Sequence, residues 1–580
     1  MLRLLLCNYS RNFFHGSSRI FETKGPKARA QGARRPGQGL AALDNPLLKP
    51  FEMDPTPVRK IRDDHVLLDI TAGCAYTCPQ DVFRGDLLMR EQELATADQV
   101  WSIEKHGIEP IGTDERHGNA FELFWVWFAA NIGILGIVYG GILAGSGLNL
   151  WQSILVALLA PTISFALVGI LSVAGKWGGA PTLTLSRASF GTRGNLAPTL
   201  ISWLSLIGWE TISVITATYA LLGLINLAGI PANTPWTIIS LVVIALLVIS
   251  IGLLGHATLV WIQQAATWIF GALTLVVVVF LLQRTNWSTI LAAHAGPWDS
   301  GVLATLSIIC AGTGISWVNV GADYTRYLPH VVKGRAITGW SVLGATLPLF
   351  VLILTGRLLA SNMADLASSS NPVSLIGSAL PPWMAIPYLI TAIGGLVTGA
   401  DLSIYSSGLN LLALGVRMKR YQTVLIDGVL MIAGSIYVML IAQNFIGPFE
   451  SFLELLAVFL TTWAAVFLVD MWLRRQYDSA GLAQTGPGSR YFYTGGVSWT
   501  ACIAWLAGIL VGLALTVSPW FNGPLAYGIF AASSLGYFIG FIVSALVYWI
   551  LTTLVMKRVR RHLASGDALT KSDLQARIIQ

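Results

Sequence analysis

"IICAGTGISWVNVGADYTRYLP", residues 308–329, starts as a membrane-spanning helix would and does not finish as one. Gly312, Gly314 and Gly321 interrupt it, Trp317 and Asn319 lie within it, and Asp323 and Arg326 stand where a greasy helix should simply end. Glycine costs about 1 kcal/mol relative to alanine in a helix interior. Glycines are common in membrane helices as close-packing surfaces, so alone they would mark only a packed face. A second interruption changes the reading: "WFAANIGILG", residues 127–136, carries Asn131 and Gly133 in the middle of another apolar run. Irregular backbone at membrane depth is tolerated only where it is buried in protein or lines a cavity. Two broken helices at corresponding places in two five-helix halves predict a transporter built from inverted repeats, with the ligand at the breaks. Asp323 and Arg326 are then expected at the cytoplasmic end, meeting water as structural or gating charges. A side chain at Gly314 is expected to obstruct the ligand, whereas Gly344 should only face neighbouring helices.

Of 580 residues, 54% are hydrophobic and only 11% charged, far from the quarter or so of charged residues in a soluble domain. Twelve apolar runs follow one another near 121–143, 151–174, 198–228, 236–254, 258–282, 301–320, 336–356, 382–415, 424–444, 449–472, 498–516 and 525–556. Each approaches or exceeds the roughly 20 residues that span a bilayer as a helix. An all-α polytopic membrane protein with twelve transmembrane helices is therefore expected. Its domains divide into a tail (1–100), a cytoplasmic segment before the first helix (101–120), a ten-helix core (121–472), helices eleven and twelve (473–556) and a C-terminal tail (557–580).

The first 50 residues carry nine Lys or Arg against two acids. They read as a disordered tail, with a transit peptide or a start upstream of Met53 or Met89 as alternatives. Cys74 and Cys78 form a lone C-x3-C without a second ligand pair, so no metal site follows. With the N-terminus inside, the inner loops hold sixteen Lys or Arg, from Lys176, Arg187 and Arg193 to Arg560 and Arg561, against Arg284 and Arg357 outside. That asymmetry puts both termini in the cytoplasm, and the plasma membrane is the expected location. It also accounts for the net charge of +7 without nucleic acid.

Two acids lie in mid-helix, Glu210 in the third segment and Asp401 in the eighth. An ionisable group there is a functional candidate by default. Either could bind a substrate edge or carry a coupling proton. Thr398, Asp401 and Tyr405 recur at i, i+3 and i+7 and so share one helix face.

Several stretches in register resemble the nucleobase:cation symporter-1 family, the purine/cytosine permeases and their hydantoin, allantoin and uracil relatives. They are "GGAPTLTLSRASFGTRGNLAPTLISWLSLIGWETI" (178–212), "GIEPIGTDERHGNAFELFWVWFAAN" (107–131), "ISWVNVGADYTRYLP" (315–329) and "YSSGLNLLALG" (405–415). The resemblance implies a leucine-transporter-like five-plus-five inverted repeat with two extra C-terminal helices. It also implies import of a small planar heterocycle with H+ or Na+, and no other cofactor.

A flat, neutral base asks for aromatic faces and a few aligned polar groups. Trp209 and, four residues on, Ser213 offer both on one face of the third segment, and Ser316 and Trp317 adjoin the break in the sixth. The family's edge-reading amide is replaced here by Ser213. Ser403 stands where many relatives have Asn, and Glu210 and Asp401 complete the expected substrate set. By the family's pattern, Ala130 and Gly133 supply carbonyls to a cation, with Gly394 and Thr398 on the eighth segment. Val397 replaces a second hydroxyl there, which favours the proton.

A membrane enzyme would need a catalytic cluster of His, Asp or Glu within the helices, and only His256 of eight histidines lies near helix ends. A passive channel, a nutrient sensor, or a carrier of hydantoins, allantoin or a vitamin-type heterocycle remain the alternatives. The expected partners are the heterocycle and the lipid bilayer.

Overall fold

The protein is described from a computed structural model that covers residues 100–565, apart from 105, 367, 370 and 443–445. The expected N-terminal tail, with Cys74 and Cys78, and the last residues of the C-terminal tail lie outside the described residues.

The first apolar run is two helices, α1 (Glu122–Ala130) and α2 (Leu135–Gly145), bent by 61° at residues 131–134. Then come α3 (Leu150–Gly178), α4 (Leu196–Leu227), α5 (Thr234–Gly252) and α6 (His256–Leu282). The sixth run contains α7 (Ala304–Gly312), which gives way to two 3-10 turns, Gly314–Trp317 and Gly321–Tyr324. After it lie α8 (Gly334–Leu359), α9 (Pro382–Ala413), α10 (Arg420–Leu440), α11 (Ile446–Arg474), α12 (Trp499–Ala514) and α13 (Gly536–Ser565).

Ten described segments are long and apolar enough to cross a membrane, and the bent α1–α2 pair makes an eleventh. The remaining expected span, α12, has 16 residues, about 24 Å of helix at 1.5 Å per residue. It is followed by a two-residue hairpin pairing Val517 with Asn522. Large apolar side chains such as Leu246, Trp268 and Leu275 stay exposed on α5 and α6, as expected of a surface that faces lipid rather than water.

The helices pair across the two halves. The second segment, α3, packs along the seventh, α8, and the third, α4, along the eighth, α9. Segments five apart in the chain thus meet as counterparts, and the broken members are the first and the sixth. Small residues set the closest contacts. Gly136 meets the Cβ of Leu352, while Gly140 and Gly356 press α2 and α8 together backbone to backbone. Asn149 and Gln152 form a capping box at the start of α3, and Gly179, at φ +65°, ends that helix with its N–H on the carbonyl of Gly175.

The glycine contrast expected between Gly314 and Gly344 does not hold. A Cβ at Gly314 would strike the backbone of Ser164 and Phe165 on α3, and one at Gly344 would lie 2.6 Å from the Phe124 carbonyl on α1. Both positions are closed by backbone, so neither can yield. Gly339, on the same helix as Gly344, has open space around it. Gly314→Ala and Gly344→Ala should therefore both cut the yield of monodisperse protein after detergent extraction, while Gly339→Ala leaves it unchanged. Normal yields from Gly314→Ala would show that this contact is not needed.

Candidate functional site

The two breaks expose backbone groups, and nearby side chains satisfy them. At the first, Asn131 ends α1 and its side-chain Nδ2 donates to the Trp127 carbonyl at 2.7 Å. At the second, Tyr139 on α2 donates its hydroxyl to the Gly312 carbonyl at 2.9 Å, and Ser316 donates to Ala311 at 2.5 Å. The N–H of Gly314 donates to Ser164 Oγ on α3 at 3.1 Å. Thr313, at φ −111° and ψ −111°, makes the turn between helix and 3-10 backbone. Each orphaned group of a broken membrane helix needs such a partner, because lipid offers none.

Between the breaks lies a cavity of about 50 Å³, several times the ~10–15 Å³ that one water needs on the same measure. Trp209 and Ser213 from α4, Trp317 and Thr313 from the second break, and Asn131 and Gly133 from the first line it. Leu349 on α8 and Gly395, Leu396, Gly399 and Ser403 on α9 complete much of the wall. Trp127 holds Trp317 edge-on, with ring centroids 5.6 Å apart. Gly395 is the close-approach residue: a Cβ there would sit 3.1 Å from the Gly133 backbone.

Of the residues expected to touch substrate, Trp209, Ser213, Trp317 and Ser403 line this cavity, and so do Ala130 and Gly133 from the expected cation set. Thr398 lies beside it, with its hydroxyl 3.0 Å from the Ala129 carbonyl and 2.9 Å from that of Gly395. Four residues fall elsewhere. Ser316 is turned back onto Ala311. Gly394 faces the Phe270 ring on α6. Glu210 follows Trp209 directly and so points about 100° away from it, toward Ser407 and Asp427. Asp401, two residues from Ser403, faces Gln263 on α6 and feels Arg420. Both acids are fully buried, with no hydrogen-bond partner for any carboxylate oxygen.

The sequence reading missed Tyr139, Thr313, Leu349 and Gly395. A tyrosine in an otherwise apolar second half-helix and a glycine pair at 394–395 were the signals. Among the described residues, no group of three His, Cys, Asp or Glu could hold a metal ion.

One end of the bundle is closed by a polar cluster. Asp323 and Arg326 do not meet water, as the sequence reading expected, but are fully buried. Asp323 accepts from the N–H and hydroxyl of Thr182 at 2.7 and 2.8 Å, which anchors the 178–191 stretch. Arg326 pairs with Glu104 and donates to the Gly107 carbonyl at 2.6 Å. The same Glu104 carboxylate accepts from Tyr327 at 2.6 Å and lies 3.5 Å from Arg420 Nε. Arg420 also donates to the carbonyls of Gly252, Leu253 and Leu254 at the end of α5. One acid from the segment before α1 therefore ties that segment to the end of the sixth run and the start of α10.

A helical bundle whose first and sixth spans break around an internal, tryptophan-walled cavity is the architecture of a membrane transporter rather than an enzyme. The chain belongs to the family of permeases for cytosine/purines, uracil, thiamine and allantoin, whose profile matches residues 110–540. It is 27% identical over 460 residues to the purine-cytosine permease-like protein YxlA of Bacillus subtilis, covering 77% of this chain and 96% of that one. It is 24% identical over 305 residues to the purine-cytosine permease FCY2 of Saccharomyces cerevisiae, covering 51% and 52%. Its fold matches that of Mhp1, a nucleobase-cation-symport-1 family transporter solved in a closed conformation with bromovinylhydantoin bound. That match has a TM-score of 0.63 at 19% identity and covers 83% of this chain and all of that one.

Removing one partner of a buried ion pair leaves an uncompensated charge and costs about 3–5 kcal/mol. Glu104→Gln, which strands Arg326 and Arg420, should lower the melting temperature of the purified permease in detergent well below that of wild type. An unchanged melt would show that the cluster contributes little to closing this end.

Proposed function

We propose that this permease imports a planar heterocycle of the nucleobase class, cytosine- or purine-like, together with a proton. The observation that carries the reading is the placement of Trp209 and Trp317 on one small cavity at the two helix breaks. A flat ring stacks on such faces. Ser213, Ser403 and the amide oxygen of Asn131 are then available to its polar edge. The names of the relatives point to the same class, and the hydantoin bound by Mhp1 makes hydantoins and allantoin the alternative substrates. Replacement of an edge-reading amide by Ser213 leaves the choice among these rings to its smaller hydroxyl.

Coupling follows from the wall behind the cavity. Thr398 bridges α9 to the end of α1, Gln263 donates to the Thr398 carbonyl at 3.0 Å, and Asp401 lies against Gln263. A carboxyl there can load a proton from one side and release it to the other as hydration changes with alternating access. Sodium held by carbonyls of Ala130 and Gly133 with the Thr398 hydroxyl is the competing ion. Residues 121–472 form the transport core in this reading, and 473–556 an appended pair of helices. The asymmetry of the basic loops supports a reading in which both termini, and the Glu104 cluster, lie on the cytoplasmic side, with the plasma membrane as the proposed location. Lipid and substrate are the partners, and the positive charge serves orientation rather than nucleic acid.

Stacking a base on an aromatic ring is worth about 1–3 kcal/mol. Trp209→Ala should thus weaken cytosine binding about 5- to 150-fold at normal expression, and Trp209→Phe should retain part of the affinity. Unchanged affinity in Trp209→Ala, with a panel of purines, allantoin and hydantoins giving the same result, would move the substrate site elsewhere.

Asp401→Asn keeps size and cannot titrate. In proteoliposomes it should exchange substrate across the membrane yet fail to accumulate it against a gradient, and lose most of the pH dependence of uptake. Intact sodium-stimulated accumulation in this variant would assign coupling to sodium.

A further inference from the structure

Away from the cavity, α4, α9 and α10 meet around a second polar centre that uptake through the cavity does not use. Asp427 on α10 is fully buried and its carboxylate is fully served: Trp203 Nε1 on α4 donates to Oδ1 at 2.8 Å and Ser407 Oγ on α9 donates to Oδ2 at 2.9 Å. Glu210 on α4 faces the same spot, and Asp427 and Ser407 are the groups that act on it. It is 0% exposed, and neither of its oxygens has a hydrogen bond of its own, the Ser407 hydroxyl beside it being given to Asp427.

The two carboxyls therefore differ in kind. An ionised carboxylate accepts hydrogen bonds only, whereas a protonated one is also a donor. Burying a carboxylate with no donor, beside a second carboxylate, carries a double penalty of desolvation and like-charge repulsion. No cation offsets it among the described residues packed here. On α9, Asp401 faces Gln263 and Tyr405 belongs to the Glu104 cluster. On α10, Arg420 is committed to the carbonyls at 252–254. The α5 helix has no titratable side chain. On α11, Asp470 is bonded to Arg474, Ser189 and Tyr548.

We propose that Glu210 and Asp427 form a proton-binding site between α4, α9 and α10, distinct from the cavity and from Asp401, in which Glu210 holds one proton and Asp427 is the anion beside it. The site reaches the cavity through two short covalent links. Glu210 follows Trp209 in the chain, and Ser407 lies one turn beyond Ser403 on α9, both Trp209 and Ser403 being cavity residues. Loss of the proton would set two negative charges among three tightly packed helices, where a Cβ on Gly408 would lie 2.9 Å from the Thr423 hydroxyl. The packing of α10 against α4 and α9, and with it the Trp209 wall, thus depends on whether the proton is present.

The test does not require transport, so it stands apart from the coupling and substrate readings above. Infrared spectra of the purified full-length permease report protonated carboxyls by their C=O stretch, apart from the carboxylate bands. Glu210→Gln should remove one protonated-carboxyl component, and Asp427→Asn should shift that component without removing it. Loss of a carboxylate band instead in Glu210→Gln would show that Glu210 is ionised and overturn the proposal. So would a protonated-carboxyl region that Asp427→Asn leaves unmoved, and this second variant decides the matter alone if Glu210→Gln does not fold.

Discussion

The backbone polar groups set free where two membrane helices break are the constraint around which this permease is arranged. In lipid each would cost several kcal/mol unpaired, so the chain spends side chains on them: Asn131 on Trp127, Tyr139 on Gly312, Ser164 on Gly314 and Ser316 on Ala311. Two of these bonds tie α2 and α3 to the sixth run, and the other two close the breaks locally. The cavity is what remains between the two breaks once their own needs are met. Its walls are accordingly supplied from other helices, with Trp209 and Ser213 from α4 and Ser403 from α9.

Close backbone approach holds the two breaks in place. A Cβ at Gly395 would crowd the Gly133 backbone, and Gly140 against α8 and Gly314 against α3 leave no room for one; rigid helices in contact transmit a shift at the breaks to α3, α8 and α9. At one end of the bundle the Glu104 carboxylate gathers Arg326, Tyr327 and Arg420. Opening that end therefore means separating buried charges, which makes it a discrete event rather than a gradual loosening.

The buried acids are divided among different surroundings by helical geometry. Successive residues on a helix are turned by about 100°. Trp209 can therefore face the cavity only if Glu210 faces α10, and Ser403 can face it only if Asp401 faces α6. Residues placed side by side in sequence, such as Trp209 and Glu210, thus lie on different faces of the helix in space.

The succession of apolar spans, the break at Asn131–Gly133 and the break at Gly312–Gly314 were legible in the sequence, because hydropathy and helix-breaking residues act locally, whereas the expected count of twelve exceeds the eleven described spans long enough to cross. Trp209, Ser213 and Ser403 could be singled out through the resemblance to the family's pattern, and Trp317 through its place beside the break in the sixth run. Which acids reach the cavity was not legible, since that depends on the rotation of each helix about its axis, set by contacts with helices far away in the chain. The burial of Asp323 and Arg326 was hidden for the same reason: their partners, Thr182 and Glu104, lie more than a hundred residues off. The meeting of Glu210 with Asp427 was hidden likewise. Local chemistry in the chain determined where helices form and where they break, and only the packing of those helices against one another decided which side chains share a site.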